Sequence, residues 1–347
     1  MTVWDEILRL IWPIVNIPSA GVRIRSCATV RTPRLLVLPA LSRHFYRSAA
    51  TVDNIRVIPR LDIKGPNLVK GIHLEGLRVL GQPESFARTY YEEGADELIY
   101  MDVVASLYGR NSLVDFIKKT SKEVFIPLTV GGGLRSLEDI RSVLLAGADK
   151  VALNTAAISD PALITKAAER FGSSTIVISI EAIQKPDGSY EAFTDNGREE
   201  TGVDVFSWAK QVEDLGAGEI MVTSIDREGT GKGYDVDLTR RVSESVSIPV
   251  IACGGAGKGD DVMEVIHEGR VNAVGLASLL HYHYLKFARF RDETEEGNTE
   301  YLKTQQNGVV LGFSKVEETS LPSLKRHMSV QGVSCRIVGE GGIDADV

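Results

Sequence analysis

Two carboxylates, Asp62 and Glu181, are the residues whose positions most directly suggest chemistry. Asp62 lies near the end of an apolar run at residues 57–63, and Glu181 lies near the end of another at residues 175–182. An apolar run of this length predicts a buried strand, so each acid should lie at the C-terminal end of a strand, where parallel α/β folds bind ligands. Two carboxylates flanking one pocket suit general acid–base catalysis. For a single acid the structural alternative is a salt bridge, as between Asp62 and Lys64.

Two glycine runs, at residues 131–133 and 254–255, suggest phosphate binding. Turns rich in glycine leave backbone N–H groups free to approach a phosphate, although they can also serve only as tight strand-to-helix connections. The strands that follow these runs end in Asn154-Thr155 and Ala277-Ser278, and the two pairs occupy matching positions. This correspondence favours phosphate binding at both runs. The sequence therefore predicts a substrate with a phosphate at each end.

Eight apolar runs predict the strands that must position these residues. They are residues 57–63, 97–102, 125–130, 151–154, 175–182, 219–224, 249–253 and 273–277. Segments with the period of a helix, such as residues 136–146 and 203–215, lie between them. This alternation predicts the α/β class and a single (β/α)8 TIM barrel.

The second half of the barrel repeats the first. Residues 94–102 resemble residues 216–224, an offset of 216 − 94 = 122, and residues 147–156 resemble residues 269–278 at the same offset. On nearly the same offset Asp62 corresponds to Glu181, since 181 − 62 = 119. Two half-barrels would thus each end their first strand in a carboxylate, and the two acids would face each other across one pocket.

Composition excludes several classes of protein. The chain has 347 residues and a formal net charge of -8, which argues against a nucleic-acid binder. No apolar run approaches the roughly 18 residues that a membrane-spanning helix needs. Three widely separated cysteines suggest neither a disulfide framework nor a metal cluster, and they fit a reducing, cytoplasmic location. We expect no cofactor and no metal.

The two ends of the chain differ from the barrel at residues 55–338. Residues 1–54 are rich in arginine and poor in acids, as transit peptides are, although Asp5 and Glu6 weaken that interpretation. A disordered extension, or upstream sequence that is not part of the working protein, is the alternative that we favour. Residues 339–347 are expected to form a disordered tail.

Several motifs in order along the barrel resemble one known family. LDIKGPNLVKG, DELIYMD, VGGG, GADKVALNTAA, GAGEIMVTSIDREGTGKGYD and GGAG occur between residue 55 and about residue 285. This region is similar to the cyclase subunit of imidazole glycerol phosphate synthase, an enzyme of histidine biosynthesis. TSIDREGTGKGYD is the most specific motif, because it does not suit the sister isomerase barrel of the same pathway.

The resemblance implies a reaction and its residues. Ammonia and a phosphoribulosyl-formimino aminoimidazole carboxamide ribotide would give imidazole glycerol phosphate and an aminoimidazole carboxamide ribotide, with Asp62 and Glu181 as catalytic acids. A flexible first loop, from residue 65 to about residue 78, would close over the substrate. The phosphate- and substrate-binding positions carried over are Lys70, Gly133, Asn154, Thr155, Gly229, Gly255, Ala277 and Ser278.

The resemblance also implies a glutaminase (class I amidotransferase) partner, docked on the N-terminal face of the barrel, that supplies ammonia along the barrel axis. Asp149 matches an interface aspartate of the family. Four charged residues match a gate at the entry, and each lies at the start of a predicted strand: Arg56, Glu97, Lys150 and Glu219. Charges at the bottom of a barrel are ordinarily stabilising salt bridges, but the complete set favours a gate.

One departure from the family pattern affects catalysis. Glu181 stands where the family has its second catalytic aspartate, and the extra methylene shifts the carboxylate by about a bond length or more. A misplacement on the ~1 Å scale can cost about 10²-fold in rate. This leaves an alternative open: an ammonia-conducting barrel that serves a sugar amidotransferase in surface-polysaccharide synthesis.

Overall fold

The computed structural model describes residues 54–105, 113–287 and 315–338. The expected N-terminal extension and the expected tail at residues 339–347 lie outside the described residues, except for Asn54.

Eight parallel strands close into a barrel, as the sequence predicts. The pairing runs from the first strand around to the last, which pairs with the first again: Arg56 lies beside Ala273 and Pro59 beside Leu276. The barrel strands, in spatial order, are β1 (Arg56–Lys64), β4 (Leu98–Asp102), β5 (Leu128–Gly131), β6 (Lys150–Leu153), β7 (Ile176–Gln184), β10 (Glu219–Ser224), β11 (Val250–Cys253) and β12 (Ala273–Leu276).

Helices surround the strands. They are α1 (Pro83–Glu92), α2 (Val114–Thr120), α3 (Leu137–Ala146), α4 (Thr155–Ser159), α5 (Ala162–Phe171), α6 (Val205–Asp214), α7 (Val236–Ser245), α8 (Gly259–His267), α9 (Ser278–Phe287) and α10 (Leu321–Val330). The side chains of Ser136 and Asp204 cap α3 and α6 by accepting a hydrogen bond from a backbone N–H in the first turn.

Side chains along each strand point alternately to the two sides of the sheet, and this divides the core into two parts. One set of residues, including Val57, Leu61 and Ile178, packs between the strands and the helices. The other set fills the inside of the barrel, with Ile58 and Val177 among its members. Because successive side chains of a strand point to opposite sides, Asp62 and Glu181 lie on the inner side with Ile58 and Val177.

The first loop, from residue 65 to about residue 78, forms a hairpin in the structure. Strands β2 (Asn67–Ile72) and β3 (Glu75–Gly81) pair antiparallel, and β2 also pairs with the end of β1. His73 and Leu74 make the turn with positive φ angles of 53° and 62°. The hairpin therefore lies over the C-terminal end of the barrel.

The fifth barrel strand carries a similar extension. Strands β8 (Tyr190–Thr194) and β9 (Glu199–Asp204) continue antiparallel from the end of β7. The first strand of each half-barrel thus leads into an antiparallel hairpin, which agrees with the internal repeat of the sequence.

One detail differs from the sequence pattern. The third barrel strand begins at Leu128, not at residue 125, and Phe125 is 73% exposed. Pro127 immediately precedes the strand and has no backbone N–H with which to extend the ladder. Helix α10 and the residues after it pack on the barrel, where the Lys325 ammonium donates to Asp96 at 2.8 Å.

Candidate active site

Asp62 lies at the C-terminal end of β1, buried inside the barrel and bonded to two cations. Its Oδ1 accepts from Nε of Arg60 at 2.9 Å, and its Oδ2 accepts from Nζ of Lys70 at 3.3 Å. Burial alone would raise the pKa of Asp62, but the charges of Arg60 and Lys70 hold it below its ordinary value. Its salt-bridge partners are therefore these two residues, not Lys64, and Asp62 is a permanent carboxylate at neutral pH.

Glu181 lies at the matching end of β7 and has the opposite electrostatic character. It is 3% exposed, and its Oε2 has no hydrogen-bond partner in the part of the chain that the structure describes. Burial raises the pKa of the Glu181 carboxyl to about 7, against the opposing effects of Arg60 and of a backbone hydrogen bond from Gly197. The nearby charge of Asp62 contributes to the increase. Two neighbouring carboxyls whose pKa values are shifted in opposite directions can take different roles: the one with the raised pKa can donate a proton, and the other can serve as a fixed charge.

Glu181 opens into a cavity of about 270 Å³, here named the Gly133 cavity, which Asn154 and Thr155 also line. Asn154 donates from Nδ2 to the carbonyl of Phe193 at 3.1 Å, and its buried Oδ1 lacks a partner among the described residues. Gly133 has a φ of 70°, which favours glycine at this turn. The first predicted phosphate residues and one predicted catalytic acid thus line the same space.

A second cavity, here named the Ser278 cavity, contains the other predicted phosphate residues. Gly229, Gly255, Ala277 and Ser278 line it together with Arg60, Glu228 and residues next to them. Gly255 has a φ of 113°, and a Cβ there would collide with the carbonyl oxygen of Gly233. Ser278 is the first residue of α9, so the backbone N–H groups of Ser278 and Leu279 have no partner within the helix, whereas the N–H of Leu280 already donates to the Ala277 carbonyl at 3.0 Å.

The hairpin brings Lys70 to the centre of the site. The Lys70 ammonium contacts Asp62 and also forms a salt bridge with Glu228. The hairpin tip is held by the backbone N–H of His73, which donates to the Glu228 carbonyl at 2.8 Å, and by Asn196, which donates to the Leu74 carbonyl at 3.2 Å. Lys70 can therefore contact a ligand only while the hairpin lies closed over the barrel.

At the opposite end of the barrel the four predicted gate residues form a closed ring of charges. Arg56 donates to Glu97 at 2.7 Å and to Glu219 at 2.5 Å. Lys150 donates to the same two glutamates, at 3.0 Å each. Positive and negative side chains alternate around the ring, so each acid is bonded to two cations.

Asp149 lies beside this ring on the N-terminal face. Its carboxylate accepts from the backbone N–H of Leu128 at 2.9 Å, which holds the loop before β5 in place. Asp149 and the exposed ring of Phe125 line one surface cavity. The Asp149 carboxylate thus bonds to the backbone of its own chain, and it is also accessible at the surface.

Sequence reasoning missed two charged residues of the site, Arg60 and Glu228. The sequence could have indicated Arg60, because side chains two residues apart on a strand point to the same side, and Arg60 lies two residues before Asp62. Glu228 lies within the motif TSIDREGTGKGYD, but its contact with Lys70 joins residues 228 − 70 = 158 positions apart. Only the folded chain reveals that contact.

The described residues contain neither a cluster that could hold a metal ion nor a helix that could span a membrane. No group of three or more metal-ligating side chains is present among them. Within the same ranges, none of the helices has the length and apolar character needed to cross a membrane.

Comparison with known proteins gives consistent names. A family model described as histidine biosynthesis protein matches residues 56–286. A relative from Legionella pneumophila, named imidazole glycerol phosphate synthase subunit HisF, is 61% identical over 207 residues, which are 60% of this chain and 98% of the relative. Relatives of the same name come from Alkaliphilus metalliredigens, 45% identical over 70% of this chain and 96% of the relative, and from Trichormus variabilis, 47% identical over 68% and 93%.

Proposed function

The chain belongs to the histidine biosynthesis protein family, and we infer that it is the cyclase subunit of imidazole glycerol phosphate synthase. In this reaction ammonia and phosphoribulosyl-formimino aminoimidazole carboxamide ribotide give imidazole glycerol phosphate and aminoimidazole carboxamide ribotide. The alternative of an ammonia-conducting barrel for a sugar amidotransferase is not favoured, since the relatives at 45–61% identity all carry the synthase name.

We propose that Asp62 and Glu181 carry the acid–base chemistry. The observation that carries this assignment is the opposite perturbation of two buried carboxyls at one end of the barrel. Glu181, with a pKa of about 7, can give or take a proton near neutral pH, as a general acid–base group must. Asp62 stays charged and can stabilise positive charge that develops on the substrate when ammonia adds.

The two cavities suggest where a substrate with a phosphate at each end would bind, although the Ser278 cavity, at about 20 Å³, would have to widen to take one. One phosphate would bind at Gly133, Asn154 and Thr155, and the other at Gly229, Gly255, Ala277 and Ser278. Glycine turns and the start of α9 offer backbone N–H groups to each phosphate. The reacting centre would then lie between the cavities, near both acids. Lys70 would contact the substrate from the closed hairpin.

The ring of Arg56, Glu97, Lys150 and Glu219 fits the entry for ammonia. Its alternating charges repel neither sign strongly, but a charged ammonium ion would have to break a salt bridge and lose its water to pass. The ring must open for ammonia as well, but a neutral molecule avoids the cost of removing a charge from water. We propose that a glutaminase subunit docks on this N-terminal face, where Asp149 would lie at the contact. Its ammonia would then travel through the barrel.

The free thiols of Cys253 and Cys335 support a cytoplasmic location, since reducing compartments keep thiols unpaired.

Turnover with ammonia tests the proposal directly. The purified chain should convert the bis-phosphate ribotide when supplied with an ammonium salt at a pH high enough to provide free ammonia, with no glutaminase present. Glu181→Gln should bind the ribotide but turn it over about 10²- to 10⁴-fold more slowly. Binding of the ribotide by the wild-type chain without any turnover would refute the cyclase assignment, and failure to bind it would refute the phosphate sites as well.

A further inference from the structure

Arg60 is a buried arginine at the centre of the site. It is 3% exposed on the inner side of β1. Its Nε donates to Asp62 at 2.9 Å, and its Nη1 donates to Oγ1 of Thr223 at 3.1 Å. Thr223 belongs to β10, which is separated from β1 by two other strands, so the arginine reaches across the inside of the barrel. A buried charge needs partners for its donors, and two of its three nitrogens have them.

The third side-chain nitrogen of Arg60, Nη2, lies in the Ser278 cavity region without a nitrogen or oxygen acceptor among the described residues. Nη2 is buried and has no hydrogen-bond partner by distance and angle within the described ranges; the Cys253 thiol, a weak acceptor in the same cavity, interacts with the guanidinium. Arg60 lines the Ser278 cavity, and the Oγ of Ser278 in the same cavity also lacks a partner there. An unsatisfied buried donor costs about 1–3 kcal/mol, so two of them in one cavity indicate that a polar group belongs there. The cavity has about 20 Å³ of free space, enough for a water, and it would have to widen to take a phosphate.

The chemistry of the unpaired atoms indicates what the ligand is. Nη2 can only donate, and the Ser278 hydroxyl can donate as well, so the ligand must offer acceptors. Glu228 also lines this cavity, and the two cations Arg60 and Lys70 face the two acids Asp62 and Glu228. These four charges cancel, so an anion would be held here by hydrogen bonds and not by an excess of positive charge. A phosphate monoester offers several anionic oxygens, and arginine pairs with phosphate through parallel N–H groups.

We propose that Arg60 binds the phosphate group in the Ser278 cavity through Nη2 and, through Nε, joins that phosphate to Asp62. This inference rests on the proposed function for the identity of the substrate, but the binding of phosphate does not depend on turnover. Arg60 is then a substrate-binding residue that fixes the distance between one end of the substrate and a catalytic acid.

The competing explanation is that Arg60 only supports Asp62 from within the core. In that case the loss of its guanidinium would lower turnover through a misplaced Asp62 and leave the affinity for phosphate unchanged. Affinity for inorganic phosphate therefore separates the two roles.

The test is a calorimetric titration of the full chain with inorganic phosphate, followed by crystals soaked in phosphate to show which cavity is filled. We expect two sites in the wild type. Arg60→Met should weaken binding in the Ser278 cavity by about 10- to 100-fold, the loss typical of a charged hydrogen bond, and leave the Gly133 cavity unchanged. Arg240→Met is the matched control, because Arg240 is exposed on α7 and pairs with Asp237. An Arg60→Met protein that binds phosphate at both sites with wild-type affinity would overturn the proposal.

A second measurement does not require that variant to fold. In phosphate-soaked wild-type crystals, Nη2 of Arg60 should lie within about 3.2 Å of a phosphate oxygen. A phosphate in the Ser278 cavity without this contact, or an empty Ser278 cavity beside a filled Gly133 cavity, would contradict the proposal. Phosphate bound at Arg60 in a chain that fails to turn over the ribotide would instead refute the proposed function and leave this inference intact.

Discussion

The buried carboxyl of Glu181 should make the stability of the protein depend on pH. Its pKa is raised from 4.5 to about 7 in the folded chain, first of all by burial. Between these two pH values the unfolded chain has lost the proton and the folded chain still holds it. The unfolded state then binds fewer protons, so the free energy of unfolding falls as the pH rises.

The size of this effect follows from the shift. Each pKa unit corresponds to about 1.4 kcal/mol, so a shift from 4.5 to about 7 costs the folded state about 3 kcal/mol once the pH exceeds both values. Below pH 4.5 the carboxyl is neutral in both states and costs nothing. Glu181→Gln carries no charge at any pH and should escape the cost altogether.

The measurement is a series of urea unfolding curves for the wild type and Glu181→Gln between about pH 4 and pH 8.5. We expect the two proteins to differ little at the acid end, and Glu181→Gln to be about 3 kcal/mol more stable at the alkaline end. Titrating groups far from Glu181 contribute equally to both proteins and cancel in the difference, and its coupled neighbours Asp62 and Arg60, with lowered and raised pKa values respectively, titrate outside this pH range. Glu191→Gln is a matched control, because the pKa of Glu191 is lowered from 4.5, first of all by its partner Lys185, so its effect on stability changes only below about pH 4.5. This variant should therefore differ from wild type by a nearly constant amount between about pH 5 and pH 8.5. A stability difference between wild type and Glu181→Gln that stays constant with pH would show that Glu181 is not held neutral by burial.

Three other variants test other parts of the molecule. Asp62→Asn should reduce ammonia-dependent turnover by about 10²- to 10⁴-fold, and turnover within tenfold of wild type would exclude a catalytic role. Arg56→Ala should lower the free energy of unfolding in urea by about 1–3 kcal/mol. It should also reduce glutamine-dependent turnover in the complex with a glutaminase, while turnover with added ammonium should persist. Equal loss of both activities would argue against a gate. Gly255→Ala should cost about 3 kcal/mol or more and weaken phosphate binding, since its Cβ would meet the Gly233 carbonyl. Gly188→Ala is the control, because Gly188 has a positive φ but open space around it, and this variant should lower the free energy of unfolding by only about 1–2 kcal/mol. An equal loss of stability in both variants would rule out the steric argument.

The sequence by itself determined the architecture. Eight apolar runs, the helical segments between them and an offset of 122 residues were sufficient to predict a barrel with a two-fold repeat, because local patterning decides which segments become strands and which side of each strand is buried. The same patterning put Asp62 and Glu181 on the inner side at the ends of strands. The turn chemistry of the glycine runs likewise depends only on neighbouring residues.

The tertiary structure decided how these residues behave. Sequence alone paired Asp62 and Glu181 as acid and base and distinguished them only by the extra methylene of Glu181. The folded chain surrounds Asp62 with Arg60 and Lys70 and leaves one oxygen of Glu181 without a partner among the described residues. The contact between Lys70 and Glu228 joins parts of the chain that no local pattern connects. A pKa depends on burial and on charges brought near by folding, so the division of roles between two similar acids is a property of the assembled site and not of either segment.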